Sequence, residues 1–185
     1  MISSILLAAG QSKRMQGENK LLKKYKKKYL INHILNSLIK SKVNKIIVVL
    51  GHENRKIKKI SLKSKKITFV FNSQYLKGIS TSIKCGLKKI SKKNIGFLIA
   101  HADMPLVSKT IFNTLCSGLK NKKKEIFVPV YKKKAGNPLA FKYSMIKSFK
   151  KIKGDIGAKK LIRSNKSKVQ LVKIKSKSIL IDFDQ

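Results

Sequence analysis

The chain has 185 residues, the length of one domain (residues 1–185) with a full core, and its 42% apolar content is ordinary for a globular protein. No apolar run approaches the roughly 20 residues that span a bilayer, and the N-terminus lacks the basic start and small-residue cleavage pattern of a signal peptide, so a cytoplasmic protein is expected. Lys and Arg outnumber Asp and Glu 45 to 7, a net charge of +38; Cys85 and Cys116 lack metal-ligand spacing and are expected as free thiols.

Short β-type apolar runs alternate with helical periodicity along the chain. Residues 2–7 read as a buried strand leading into Leu7-Ala8-Ala9-Gly10-Gln11-Ser12-Lys13-Arg14-Met15-Gln16-Gly17-Glu18-Asn19-Lys20. Residues 29–41 predict a helix with Leu30, Ile31, Ile34, Leu35, Leu38 and Ile39 on one face. Lys45–Leu50 is a second strand and Ile67–Phe71 a third. Residues 80–90 predict a helix carrying Ile83, Leu87 and Ile90, and residues 95–100 a fourth strand. Ser108 is placed to cap a helix bearing Ile111, Phe112 and Leu115 and ending near Gly118. Ile126–Tyr131 reads as a strand, Lys159–Ser164 as a helix, and residues 169–174 and 179–183 as strands. Near-continuous Ile/Val strands separated by amphipathic helices predict an α/β fold. It is three-layered and Rossmann-like, with a mostly parallel sheet covered on both faces. In such folds ligands bind at the carboxyl ends of the strands.

The loop after the first strand combines two glycines, small residues, Arg14 and Lys20. A strand opening into such a loop offers backbone N–H groups and fixed cations to an anion such as a polyphosphate. It is neither a Walker A loop nor a dinucleotide fingerprint, since it lacks the Gly-Lys-Ser/Thr ending and the Gly-x-Gly-x-x-Gly spacing. A flexible connection is the alternative reading. The surrounding composition sharpens the choice. Lysine is spread over residues 23–28, 56–66, 120–124, 132–134 and 147–153, as a codon drift would leave it. A nucleic-acid groove would concentrate it on one face with stacking aromatics, so weak non-specific association is what the charge implies. Arginine is confined to Arg14, Arg55 and Arg163. At Arg14 the planar fork supplies a bidentate phosphate grip that lysine lacks.

Other segments fall at the same sheet edge. His101-Ala102-Asp103-Met104-Pro105 follows the fourth strand, and Asp103 is placed there to hold Mg²⁺, a hard cation taking one or two carboxylates plus phosphates; a turn aspartate is the alternative. Gly78-Ile79-Ser80-Thr81-Ser82 precedes a helix, either as a base and ribose contact or as a capped helix entry. Ala135-Gly136-Asn137-Pro138-Leu139-Ala140-Phe141 reads as a turn-rich loop, and Gly154-Asp155-Ile156-Gly157-Ala158-Lys159 as a turn into a helix. Asp182 and Asp184 alternate on the last predicted strand and so share a side. His33 reads as structural, and His52 has no evident partner.

Taken in order, these segments resemble the cytidylyltransferases and guanylyltransferases that mature the molybdenum cofactor, within the nucleotide-diphospho-sugar transferase fold. The Leu-Ala-Ala-Gly-x-Ser-x-Arg-Met-Gly…Lys signature appears as Leu7 to Lys20. Gly51-His52-Glu53, Gly78–Ser82, Ala102–Pro105, Gly136–Pro138 and Gly154–Ala158 follow in family order. Ala9 resembles the cytidylyl type, whereas guanylyl enzymes usually carry glycine there. Gln16 stands where the family has glycine, Lys159 replaces an arginine, and the family's Asp-x-Asp-Thr-Pro-Glu-Asp ending is cut to Asp182-Phe183-Asp184-Gln185.

The resemblance implies Mg²⁺-dependent nucleotidyl transfer from an NTP, CTP favoured, to a phosphorylated acceptor, molybdopterin favoured, with release of pyrophosphate. Leu7, Ala8, Ala9, Gly10, Ser12, Arg14 and Lys20 would hold the nucleotide phosphates, and Asn72, Gly78, Ser80 and Ser82 its base and ribose. Asp103 would hold the metal, with Asp184 as a second ligand, and Asn137 and Asp155 would face the acceptor. Catalysis would rest on Arg14, Lys20 and Asp103 as positioning and charge neutralisation, without a covalent nucleophile. A sugar-phosphate nucleotidyltransferase, a nucleotide-binding homologue without turnover and a basic nucleic-acid-binding protein remain the alternatives.

Overall fold

The computed structural model describes residues 1–12, 19–121 and 123–183. Arg14, Gln16 and Asp184 lie outside them. β1 (Ile2–Ala8) runs up the middle of the sheet. A two-stranded ribbon, β2 (Lys24–Tyr25) and β3 (Lys28–Tyr29), leads into α1 (Leu30–Ile39). There follow β4 (Lys45–Leu50), α2 (Asn54–Ile60), β5 (Ile67–Phe71), α3 (Ile79–Leu87), β6 (Gly96–His101) and α4 (Lys109–Gly118). The rest is β7 (Ile126–Tyr131), β8 (Lys134–Ala135), β9 (Leu139–Lys142), α5 (Ile146–Phe149), α6 (Lys159–Ser164) and β10 (Val169–Lys173).

The main sheet has the order β10-β7-β9-β6-β1-β4-β5, with β8 paired to β7. All these pairings are parallel except those of β8 and β9. Strand alternation splits the core into two. Leu6, Ile46, Val48, Leu98 and Ala100 point to the face covered by Leu35 of α1, Ile57 of α2 and Phe112 of α4. Ile5, Ile47, Val49, Phe97 and Ile99 point to the face covered by Ile83 of α3, Phe149 of α5 and Leu161 of α6. Period-two alternation with apolar residues on both sides requires cover on both sides, which the helices supply. The predicted α/β fold with a mostly parallel sheet is the observed one. No helix among the described residues is long and apolar enough to cross a membrane.

Two expectations change. Leu139–Lys142, read as part of a loop, is the antiparallel strand β9 between β6 and β7. Its four residues follow Gly136, Asn137 and Pro138, so turn chemistry hides a very short apolar run. Residues 179–183, read as a strand, instead form a turn over Lys177–Leu180 and then an irregular strap. Their backbone groups bond loops and not a neighbouring strand. Asn137 N–H donates to Ile179 O at 2.9 Å, and Phe183 N–H donates to Asp103 O at 2.8 Å. Asp182 therefore lies on the strap and not on a strand, and its expected companion Asp184 is outside the described residues.

Candidate active site

The carboxyl end of β1 is where three loops meet. Ala102 N–H donates to Leu7 O at 3.0 Å, and His52 N–H donates to Ala9 O at 3.3 Å. The loops after β6 and β4 are thus pinned to the end of the central strand. A cavity of about 420 Å³ opens there, lined by Leu7, Ala8, Ala9, Gly10, Gln11, Ser12 and Lys20 on one side. Gly78, Ile79, Ser82, Tyr75 and Leu76 line the other, with His101 and Asp103 at the base. Its volume falls in the range of small-molecule sites.

The Gly10–Ser12 stretch is open. Among the described residues its three amides donate to no protein acceptor. Among the described residues beyond its chain neighbours, a methyl placed on Gly10 would meet nothing within 4 Å. Ser12 takes a left-handed conformation (φ 52°), and its Oγ accepts from Lys20 N–H at 3.1 Å, which brings the two ends of the loop together. Exposed, unpaired N–H groups beside an ammonium are a binding surface for phosphate oxygens.

The opposite wall is already satisfied. Gly78 caps α3 with φ +99°, and a Cβ there would lie 2.5 Å from the Gly154 carbonyl carbon. Only glycine allows both the conformation and that approach. The contact brings in Asp155, whose Oδ1 accepts from Ile79 N–H at 3.0 Å. A carboxylate therefore occupies the N-terminus of α3, where an anion is favoured. Asp155, grouped with Asn137 in the sequence reading, lines this first cavity and not Asn137's. Asn72 and Ser80 do not line it; both are buried. Asn72 Nδ2 donates to Thr81 Oγ1 and Ser82 Oγ at 2.9 and 3.0 Å, tying β5 to the first turn of α3.

Asp103 stands at the base of the cavity, and its Oδ2 is 2.7 Å from Lys20 Nζ. Both side chains are largely buried, 22% and 15% exposed, so the pair is shielded from bulk water. Among the described residues no group of three or more His, Cys, Asp or Glu could hold a metal ion alone. One carboxylate beside a loop of unpaired amides suits a cation arriving on a nucleotide, since Mg²⁺ keeps its waters and takes few protein ligands. The donor set fits Mg²⁺ in that form.

A second cavity, also about 420 Å³, lies behind the first. Met104, Val128, Leu139 and Ile179 give it apolar walls; Asn137, Asp182, Lys159 and Arg163 add polar groups. Lys159 and Arg163 are four residues apart on α6, hence on one face. His101 and Asp103 line both cavities. Burial pushes the His101 imidazole pKa down, against the opposing pull of Asp103.

The structure thus gathers Leu7, Ala8, Ala9, Gly10, Ser12, Lys20, Gly78, Ser82 and Asp103, all predicted as site residues, around one cavity. It adds Tyr75, Leu76, His101, Lys159, Arg163 and Asp182, which the sequence reading left without roles. Arg163 carried a signal, being one of three arginines among 45 basic residues; nothing in the pattern marked Tyr75 or Leu76.

Solved structures share the fold. Rv0371c from Mycobacterium tuberculosis H37Rv is 22% identical over 95% of this chain and 88% of its own, with a TM-score of 0.84; it has also been solved in complex with manganese. A nucleotidyl transferase from Methanothermobacter thermautotroptrophicus is 19% identical over 99% and 91%, with a TM-score of 0.83. The 4-diphosphocytidyl-2C-methyl-D-erythritol synthase from Anaerococcus prevotii is 18% identical over 99% and 90%, with a TM-score of 0.77. The family model of the MobA-like NTP transferase domain matches residues 4–170, nearly the whole chain, and the protein therefore belongs to that family of nucleotidyltransferases.

Proposed function

We propose that this protein transfers a nucleoside monophosphate, with CTP as donor, to a phosphorylated acceptor of the molybdopterin kind, releasing pyrophosphate with Mg²⁺ as cofactor. The observation that carries the reading is the Lys20–Asp103 pair at 2.7 Å, set where the phosphate loop and the two cavities converge. Ala9 and the likeness in fold to a diphosphocytidyl-product synthase favour cytidine. The manganese complex of Rv0371c favours a divalent cation.

The chemistry follows from the placement. The Gly10–Ser12 amides bind the triphosphate, and Lys20 and Arg14 neutralise charge growing on the leaving pyrophosphate. A triphosphate in the loop competes with Asp103 for the Lys20 ammonium. The carboxylate so released is the residue that would hold Mg²⁺, which when bound would offset phosphate charge at the reacting centre. Tyr75 and Leu76 give the base an apolar surface. The acceptor occupies the second cavity beside Asn137, with Lys159 and Arg163 at its anionic end. Its phosphate then meets the α-phosphorus where the two cavities join at His101 and Asp103, and holding the two in line is most of the catalysis.

The test is pyrophosphate release with CTP, GTP, ATP and UTP, each with and without molybdopterin or molybdenum cofactor, and with and without Mg²⁺. Release that requires CTP, acceptor and metal together is the expected result. Release with another nucleotide corrects the donor, and release with a sugar phosphate in place of the pterin corrects the acceptor.

A further inference from the structure

Among the residues that line both cavities is His101. It is the last residue of β6, held in register opposite Leu7 of β1. The next amide, Ala102 N–H, donates to Leu7 O, so the backbone on both sides of the histidine is fixed by the central strand. Its side chain is half-buried and lines both cavities. Two anions, Asp103 and Asp182, and two cations, Lys20 and Lys159, are the charged groups that act on it. Among the described residues no group hydrogen-bonds its ring nitrogens, although His33 Nε2 lies 2.7 Å from Tyr25 O. A half-buried imidazole on a rigid strand end, with both nitrogens available, retains its hydrogen-bonding capacity for something that enters the cavities.

Resting on the function proposed above, we infer that His101 is a substrate-positioning residue of the transfer point, contacting the acceptor's phosphate in the second cavity and the nucleotide's α-phosphate in the first. A ring N–H of His101 donates to a non-attacking oxygen of the acceptor phosphate. The flat ring packs beside the point where the two phosphates meet and sets the angle between them.

The chain has three histidines, so their ring signals are separable by NMR of uniformly ¹⁵N-labelled full-length protein, which also reports the Gly10–Ser12 amides. The first probe is Mg²⁺ with α,β-methylene-CTP, which cannot transfer; the second, added at saturation of the first, is inorganic phosphate. His101 ring nitrogens shift at the first step and again at the second, while His33 stays still. In titrations with the same probes, His101→Leu weakens phosphate binding about tenfold, the loss of one hydrogen bond to a charged group, and His101→Gln restores most of it. Its affinity for the nucleotide analogue changes less than threefold, by roughly the scale of a neutral contact. If the Gly10–Ser12 amides respond to the analogue but His101 responds to neither probe, the inference is overturned and the function stands. Phosphate binding unchanged in His101→Leu overturns it as well. If those amides do not respond to the analogue at all, the function itself is wrong and the inference falls with it.

Discussion

Two glycine-bearing loops face each other across the first cavity, and they are held in opposite ways. In Gly10–Ser12 the amides have no protein acceptor among the described residues, and the glycine has open space in front of it. In Gly78–Ser82 several groups are spoken for: Ile79 N–H by Asp155, Thr81 N–H by Gly78 O, and Thr81 Oγ1 and Ser82 Oγ by Asn72. Both stretches look alike as sequence, small and polar ahead of a turn or helix. What separates them is whether the protein supplies the partners itself. The loop that does not is the one with capacity left for a ligand, since a polar group already paired gains little from exchanging its partner.

The largest break should come at the open side. Asp103→Asn removes the charge that would hold the metal while keeping the shape, and metal-dependent pyrophosphate release should fall by about 100-fold or more, the scale of losing one preorganised electrostatic group. Circular dichroism should stay as it is, while the thermal midpoint falls by a few degrees because Lys20 loses its charged partner. Activity within tenfold of the parent would move the metal elsewhere. Gly10→Ala comes next. Among the described residues beyond its chain neighbours the methyl meets no atom within 4 Å, and Gly10 is not among the positive-φ glycines, so stability should hold. Nucleotide binding should weaken about tenfold as the methyl takes the space where a phosphate approaches. Calorimetry with the non-transferable analogue measures it.

On the saturated side the same logic predicts loss of stability in place of loss of turnover. Asn72→Ala deletes the tie between β5 and α3 and leaves the buried Ser82 hydroxyl without that partner, at a cost of about 1–2 kcal/mol in denaturant unfolding. The Michaelis constant for nucleotide should change little in the protein that remains folded. A large kinetic defect at full stability would return Asn72 to the list of substrate contacts.

That contrast marks how far the sequence could be read. The parallel half of the sheet was legible because strands such as Lys45–Leu50 are Ile- and Val-rich and their helices carry an apolar face every three or four residues. β9 was not, because four residues after a Gly-Asn-Pro turn carry no period. The strap over residues 179–183 was misread because Ile179 is buried by loops while the apolar run suggested a strand. Within the site, Lys20 and Asp103 were legible by residue type and by their positions after strands. Asn72 and Asp155 were assigned to substrates because the sequence shows a side chain's chemistry and not its partner. Asp155 finds Ile79, 76 residues away, and no local pattern reports that.

Asp155 is also the residue where the comparison is most delicate, because its carboxylate lines the cavity while it caps α3. Asp155→Ala removes a helix-terminal acceptor at an exposed site, so the expected stability loss is small, about 1 kcal/mol. Its effect on the nucleotide separates the two roles by sign. If the carboxylate only caps, removing a negative charge from a cavity that takes a polyphosphate leaves binding unchanged or slightly tighter, and the bare N-terminus of α3 adds to the attraction. If the carboxylate accepts a hydrogen bond from a ribose hydroxyl, the same substitution weakens binding, by about tenfold for one charged acceptor. Titration of Asp155→Ala with the non-transferable CTP analogue at two salt concentrations reads that sign directly. An electrostatic gain shrinks as salt rises, whereas a lost hydrogen bond does not recover.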